Sequence, residues 1–201
     1  DENKSLYEVQ VKAPFIELLD ILDAIFSDDL DSISISPRNL SRPKRPKNKW
    51  ADKGVLKNFA SFILAQKRSS LFEWNPGIHF QLGSLKDDNH IGMGLYMMST
   101  RQIKRLRLAL VNDFESLESI INNKKFKKYW GEIIGEKYKR LPSGLPDNHN
   151  AYEYFFNKQL YISRNFTRAD VKKSDFPSVI IKTVESGIPF LRWIRKSVGT
   201  H

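Results

Sequence analysis

Side chains able to do acid–base chemistry at neutral pH are few, since histidine occurs only at His79, His90, His149 and His201. His79 adjoins Phe80 in an apolar stretch and His201 is the last residue. That leaves Asp147-Asn148-His149, just past a turn-rich connector, as the local cluster with acid–base potential. The same Asp147 is equally suited to capping a helix with His149 in its exposed first turn. No HExxH or paired HxH spacing occurs, and the absence of cysteine removes thiolate ligands, thiol nucleophiles and disulfides together. No metal and no cofactor are therefore expected. Serine offers no GxSxG elbow, and Ser143 in Pro142-Ser143-Gly144 lacks the strand-to-helix context an elbow needs. Gly92-Met93-Gly94 lacks the third glycine and the Lys-Ser ending of a phosphate-binding loop. It reads instead as a strand that another backbone approaches closely.

Charge is more informative than nucleophiles. The chain of 201 residues carries 33 Lys and Arg against 23 Asp and Glu, a net +10. Residues 1–31 hold nine acids and two lysines, net −7, whereas residues 32–72 hold ten bases and one acid, net +9. Arg38, Arg42, Lys44, Arg45, Lys47 and Lys49 fall within twelve residues that end beside Trp50, and Pro37, Pro43 and Pro46 limit how far that segment can collapse. Arginine grips phosphate bidentately, and an adjacent aromatic can stack a base. The expected partner is a phosphate-containing ligand or nucleic acid, with Lys139 and Arg140 as further anion-binding candidates. Alternatively, the acidic N-terminal helix neutralises the basic segment from within.

These residues must be positioned by a fold. From Leu6 to Phe26 the apolar residues recur at helical spacing, with Pro14 marking either two helices or a kink. Ser32–Ser36 alternates as a short strand, and Pro37–Lys53 reads as a loop. Strands are expected over Asn58–Leu64, Ser70–Trp74, Ile78–Leu82 and Ile91–Met98, with short separations that favour antiparallel pairing. Ser99 and Gln102 form a capping-box pattern ahead of a helix running to Val111, and a second helix is expected over Phe114–Ile121. Asp147 is expected to cap a helix carrying Tyr152 to Leu160. An extended piece over Tyr161–Phe166 and one or two terminal helices follow, the last over Pro189–Val198. Helix, then strands, then helices predicts an α+β domain over residues 1–201, with a mostly antiparallel sheet flanked by an N-terminal helix and several C-terminal helices.

In order along the chain, Leu6-Tyr7-Glu8, Val11-Lys12-Ala13-Pro14-Phe15, Gly92-Met93-Gly94-Leu95-Tyr96 leading into the Arg101–Val111 helix, and Lys139-Arg140-Leu141-Pro142-Ser143-Gly144 before Asp147-Asn148-His149 resemble a known family. It is the widespread bacterial and fungal family of conserved hypothetical proteins called domain-of-unknown-function family 2461. The similarity runs from about Leu6 to Phe166. The resemblance implies an α+β domain, an upstream segment with an Asn and a Trp-Phe pair before Asp1, and no established reaction. Where that family has Arg-Phe-x-x-Asp-Lys-x-x-Tyr-Lys, this chain has Arg42-Pro43-Lys44-Arg45-Pro46-Lys47 and later Asp52-Lys53, keeping charge without the pattern.

Three functions are consistent with these features. The leading one is an anion-binding surface at Arg38–Lys49. The others are a hydrolase-like enzyme acting on an anionic substrate through His149 or Asp147, and an interaction module using Lys124–Trp130 or Phe190–Lys196. No stretch is long and apolar enough for a membrane span, and a cytoplasmic location is expected from the lack of cysteine.

Overall fold

Pro14 has no N–H to offer the turn before it, and the helix around it accommodates this with one wide turn. α1 (Glu2–Tyr7) runs into a π-helical turn (Glu8–Lys12), closed by the Ala13 N–H donating to the Glu8 carbonyl, and continues as α2 (Ala13–Phe26). This computed structural model describes residues 2–28, 33, 35–66, 74–84 and 88–199. α2 buries Phe15, Leu18, Leu19, Leu22 and Phe26 and turns Glu17, Asp20 and Asp23 outward. Ile33 and Ile35 are buried, as the alternating pattern requires, but no strand forms at 33, 35 or 36; positions 32 and 34 lie outside the described residues.

The basic segment is more ordered than a loop. Lys47–Lys49 forms a 3₁₀ turn leading into the single-turn helix α3 (Trp50–Lys53). Upstream, Leu40 makes an antiparallel bridge to Phe62 and Lys44 one to Leu56. The Ser41 N–H donates to the Ser61 carbonyl at 2.7 Å. The segment thus covers the outer edge of the first strand, and its prolines prevent it from extending the ladder.

Four strands, β1 (Phe59–Ala65), β2 (Gly77–Gly83), β3 (His90–Leu95) and β4 (Leu160–Asn165), form an antiparallel sheet in chain order. Period-two burial selects the inward face: Ala60, Phe62 and Leu64; Ile78 and Phe80; Ile91, Met93 and Leu95; Leu160 and Ile162. β3 ends at Leu95 rather than at Met98, because Tyr96 and Met97 form an exposed bend. The strand expected over Ser70–Trp74 lies outside the described residues apart from Trp74, which is not in a strand.

Ser99 and Gln102 make the expected reciprocal cap and start α4 (Thr100–Asn122). The two helices expected here follow one another within α4 and part at Asp113, which leaves helical geometry at φ −144° and ψ 34° and kinks the run. α5 (Lys124–Tyr129) follows, capped by Asn123. Asp147, by contrast, caps no helix. α6 is only one turn (Tyr152–Phe155), and the first N–H groups are taken within the turn before it: His149 Nδ1 accepts from Ala151 N at 3.0 Å and the His149 carbonyl from Tyr152 N at 2.9 Å. After β4 come α7 (Arg168–Val171) and α8 (Phe176–Val198). Pro189 does not start a last helix but sits inside α8. The buried residues Ile188, Phe190, Leu191 and Ile194 continue the apolar stripe past it and offset the missing hydrogen bond.

Contacts cluster into two compact units. The first comprises Asp1–Ala65, Ile78–Ile91 and Asn165–Ile181; the second comprises Gln66–Gly77, Gly92–Arg164 and Lys182–His201. An aromatic cluster centres the first: Phe62 and Phe80 lie 5.2 Å apart, Phe15 and Phe80 5.6 Å, and Phe166 and Phe176 5.1 Å between ring centroids. In the second, α4 contributes Leu106, Leu110 and Leu117, α8 contributes Phe190 and Ile194, and the rings of Phe126 and Phe190 are 5.8 Å apart. No helix among the described residues is long and apolar enough to cross a membrane.

Candidate functional site

The most developed concavity belongs wholly to the first unit, a cavity of about 1040 Å³. Its apolar floor is formed by buried residues of the aromatic core, Phe15 and Leu18 from α2, Phe80 from β2 and Phe176 from the start of α8. The π-helical turn supplies one wall through Gln10 and Val11, with Tyr7 just before it. Such wide turns are uncommon and occur often at functional sites. Leu82, Gly83 and Val171 also belong to the lining.

Around this apolar floor the lining carries Lys4, Lys44, Lys57, Arg168, Lys172 and Lys173, and among the described residues it carries no carboxylate. One sign of charge above a low-dielectric floor concentrates the field and attracts anions. Loss of solvation, and after it the Arg45 guanidinium, hold the Lys57 ammonium below the ordinary lysine value. An anion at this position would reverse that shift.

Lys44 and Lys57 are brought together by the bridge between Lys44 and Leu56 and by Lys57 N donating to the Pro43 carbonyl at 2.9 Å. Arg45, between them in sequence, serves the backbone: Nε donates to the Lys53 carbonyl at 3.0 Å and Nη2 to Asn58 Oδ1 at 3.3 Å, while its head lies over the Phe59 ring. Trp50, the aromatic expected to stack a base, donates its ring N–H to the Arg45 carbonyl at 2.8 Å. Both residues therefore hold the segment in the shape that presents Lys44.

The second cationic group is fixed by the capping box of α7. Thr167 Oγ1 accepts from Asp170 N at 3.1 Å, Thr167 N donates back to Asp170 Oδ2 at 3.1 Å, and Lys173 Nζ lies 2.8 Å from Asp170 Oδ1. Lys173 and the Thr167 hydroxyl hold the Asp170 carboxyl far below the usual carboxylate range. Arg168 donates to the Ser84 carbonyl at 3.0 Å, tying α7 to the end of β2. Asn89, with its side chain buried, accepts from Gly83 N at 3.0 Å and fixes the same corner.

Of the eight anion-binding candidates read from sequence, only Lys44 lines this cavity. Arg38, Arg42, Lys47 and Lys49 are exposed on the basic segment, and Lys139 and Arg140 are exposed in the second unit. None of the ion pairs among the described residues joins the acidic helix to the basic segment; Glu8 pairs within its own turn with Lys12. Lys4, Lys57, Arg168, Lys172 and Lys173 line it without having been singled out from the sequence. The legible signal for the last three was Thr167-x-x-Asp170, a capping box that places bases on one short turn.

His149 is half-buried, with its ring 6.3 Å from Phe114 and 5.8 Å from Phe155. Neither it nor Asp147, which is exposed, lines the cavity. In Lys124–Trp130 the aromatics Phe126 and Trp130 point into the core and leave the lysines outside, and Phe190, Leu191, Trp193 and Ile194 are buried too. No group of three or more His, Asp or Glu among the described residues could hold a metal ion. His79 and His90 face each other across β2 and β3, Nε2 of His90 lying 3.3 Å from Nδ1 of His79.

No curated protein and no solved structure matches the chain. The model of a conserved hypothetical protein family (DUF2461) matches residues 1–193. That match covers nearly the whole sequence, including every cavity residue, and the chain belongs to this family.

Proposed function

We propose that the protein binds a phosphate-bearing anionic ligand in the cavity of its first unit, with the basic segment contributing through Lys44. The observation that carries this reading is the lining itself: six cationic side chains and, among the described residues, no carboxylate. Lys44, Lys57 and Lys172 come from three separate stretches of chain, so their convergence is a property of the fold rather than of a charge run. Each ammonium near the mouth adds a modest, salt-screened attraction, and several together make a site.

Calorimetric titration with phenyl phosphate at low ionic strength tests the reading. Binding is expected, weakening as salt is added, and falling by about tenfold or more in the combined variant Lys44→Gln, Lys57→Gln, Lys172→Gln. Phenyl phosphate that fails to bind at low salt, or binds the triple variant equally well, overturns it.

A further inference from the structure

Inorganic phosphate or a compact sugar phosphate has no use for the lower part of this cavity. Sites for such ligands are small and lined by backbone N–H groups and polar side chains. Here the space is about 1040 Å³, at the upper end of ordinary small-molecule pockets of roughly 300–1,000 Å³. Its floor is the three rings of Phe15, Phe80 and Phe176. Leu56 also belongs to the lining and is 61% exposed, an apolar wall residue that still faces water. The lining thus joins cations at the ends of long flexible side chains to apolar groups, most of them fixed by the core.

Resting on the anion-binding reading above, we infer that the ligand is an amphiphile, taken up as a monomer, whose phosphate meets the lysines of the rim while its hydrocarbon body lies on the Phe15–Phe80–Phe176 floor. This separation of roles makes the energetics separable. The head contributes a salt-sensitive term set by Lys44, Lys57 and Lys172. The body contributes a salt-insensitive term proportional to the methylene groups removed from water.

A homologous series of ethyl, butyl, hexyl and octyl phosphate, each kept below the concentration at which it forms micelles, reads both terms by calorimetry. Affinity is expected to rise about fourfold per methylene, the equivalent of about 0.8 kcal/mol, until the floor is filled. Leu56→Gln and Val171→Gln, exposed and half-buried residues of the lining, are expected to reduce that increment, weakening octyl phosphate more than ethyl phosphate. The triple lysine variant is expected to weaken every homologue by one common factor. Equal affinity for ethyl and octyl phosphate overturns the amphiphile while leaving anion binding in place. A length increment that survives with no effect of the lysine variant overturns anion binding instead. Binding to vesicles of phosphatidylglycerol and phosphatidylcholine, with none to monomeric octyl phosphate, also overturns the inference, since it would place the ligand at a lipid surface rather than in the cavity.

Discussion

Two residues show how closely single positions are constrained. At Gly94, in β3, the backbone has φ +125°, a region closed to other residues, and a Cβ there would overlap the Leu160 carbonyl oxygen on the neighbouring strand. Gly94→Ala is expected to lower stability by roughly 2–4 kcal/mol, measured by urea denaturation, since strain and overlap act together. Arg45 is constrained by chemistry instead. Its guanidinium holds the Lys53 carbonyl and the Asn58 side chain at once. Arg45→Ala should cost only about 1 kcal/mol, because these bonds are near solvent. Its larger effect is expected on phenyl phosphate affinity, which should fall although Arg45 does not line the cavity.

At the scale of elements, helix starts decide which groups meet. α4 begins where Ser99 and Gln102 satisfy each other's backbone N–H groups, and Gln102 also donates to the Trp74 carbonyl at 2.7 Å. Ser99→Ala is expected to cost about 1 kcal/mol and to lower Tm by about 2–4 °C in calorimetry. α7 uses the same device through Thr167 and Asp170. The capping box was readable at α4 because a long amphipathic helix follows it. At α7 the helix is a single turn with no periodicity to announce it. Asp147 failed as a cap for the converse reason: the residue type suited the role, but the His149 ring nitrogen satisfies the Ala151 N–H ahead of α6.

For the whole molecule, the histidine pair sets an acid limit. Burial, and after it the neighbouring His90, push the His79 pKa down from 6.5 to about 4, and burial lowers His90 as well. A histidine that is harder to protonate folded than unfolded stabilises the fold fully above its unfolded pKa. That contribution is lost as pH falls from 6.5 toward 4. Stability is therefore expected to drop by about 2 kcal/mol between pH 7 and pH 4.5 beyond any carboxylate effect. His79→Gln should flatten that part of the curve in denaturation measured across the range.

Sequence by itself determined the α+β class, four of the strand positions, the wide-faced first helix and the presence of a strongly basic segment. Each depends on nearest neighbours along the chain: periodicity, caps, proline and local charge. Only the tertiary structure decided which cations share a space. Lys57 lies on the approach to β1, and Lys172 and Lys173 follow α7, more than a hundred residues later. They converge with Lys44 because β1, β2 and α8 bury their phenylalanines together, and burial is a contact between distant segments that no local pattern encodes. The same packing turned Arg45 and Trp50, the most suggestive residues of the basic segment, into its internal supports. Apart from Lys44, it also lined the cavity with cations that the sequence alone did not single out.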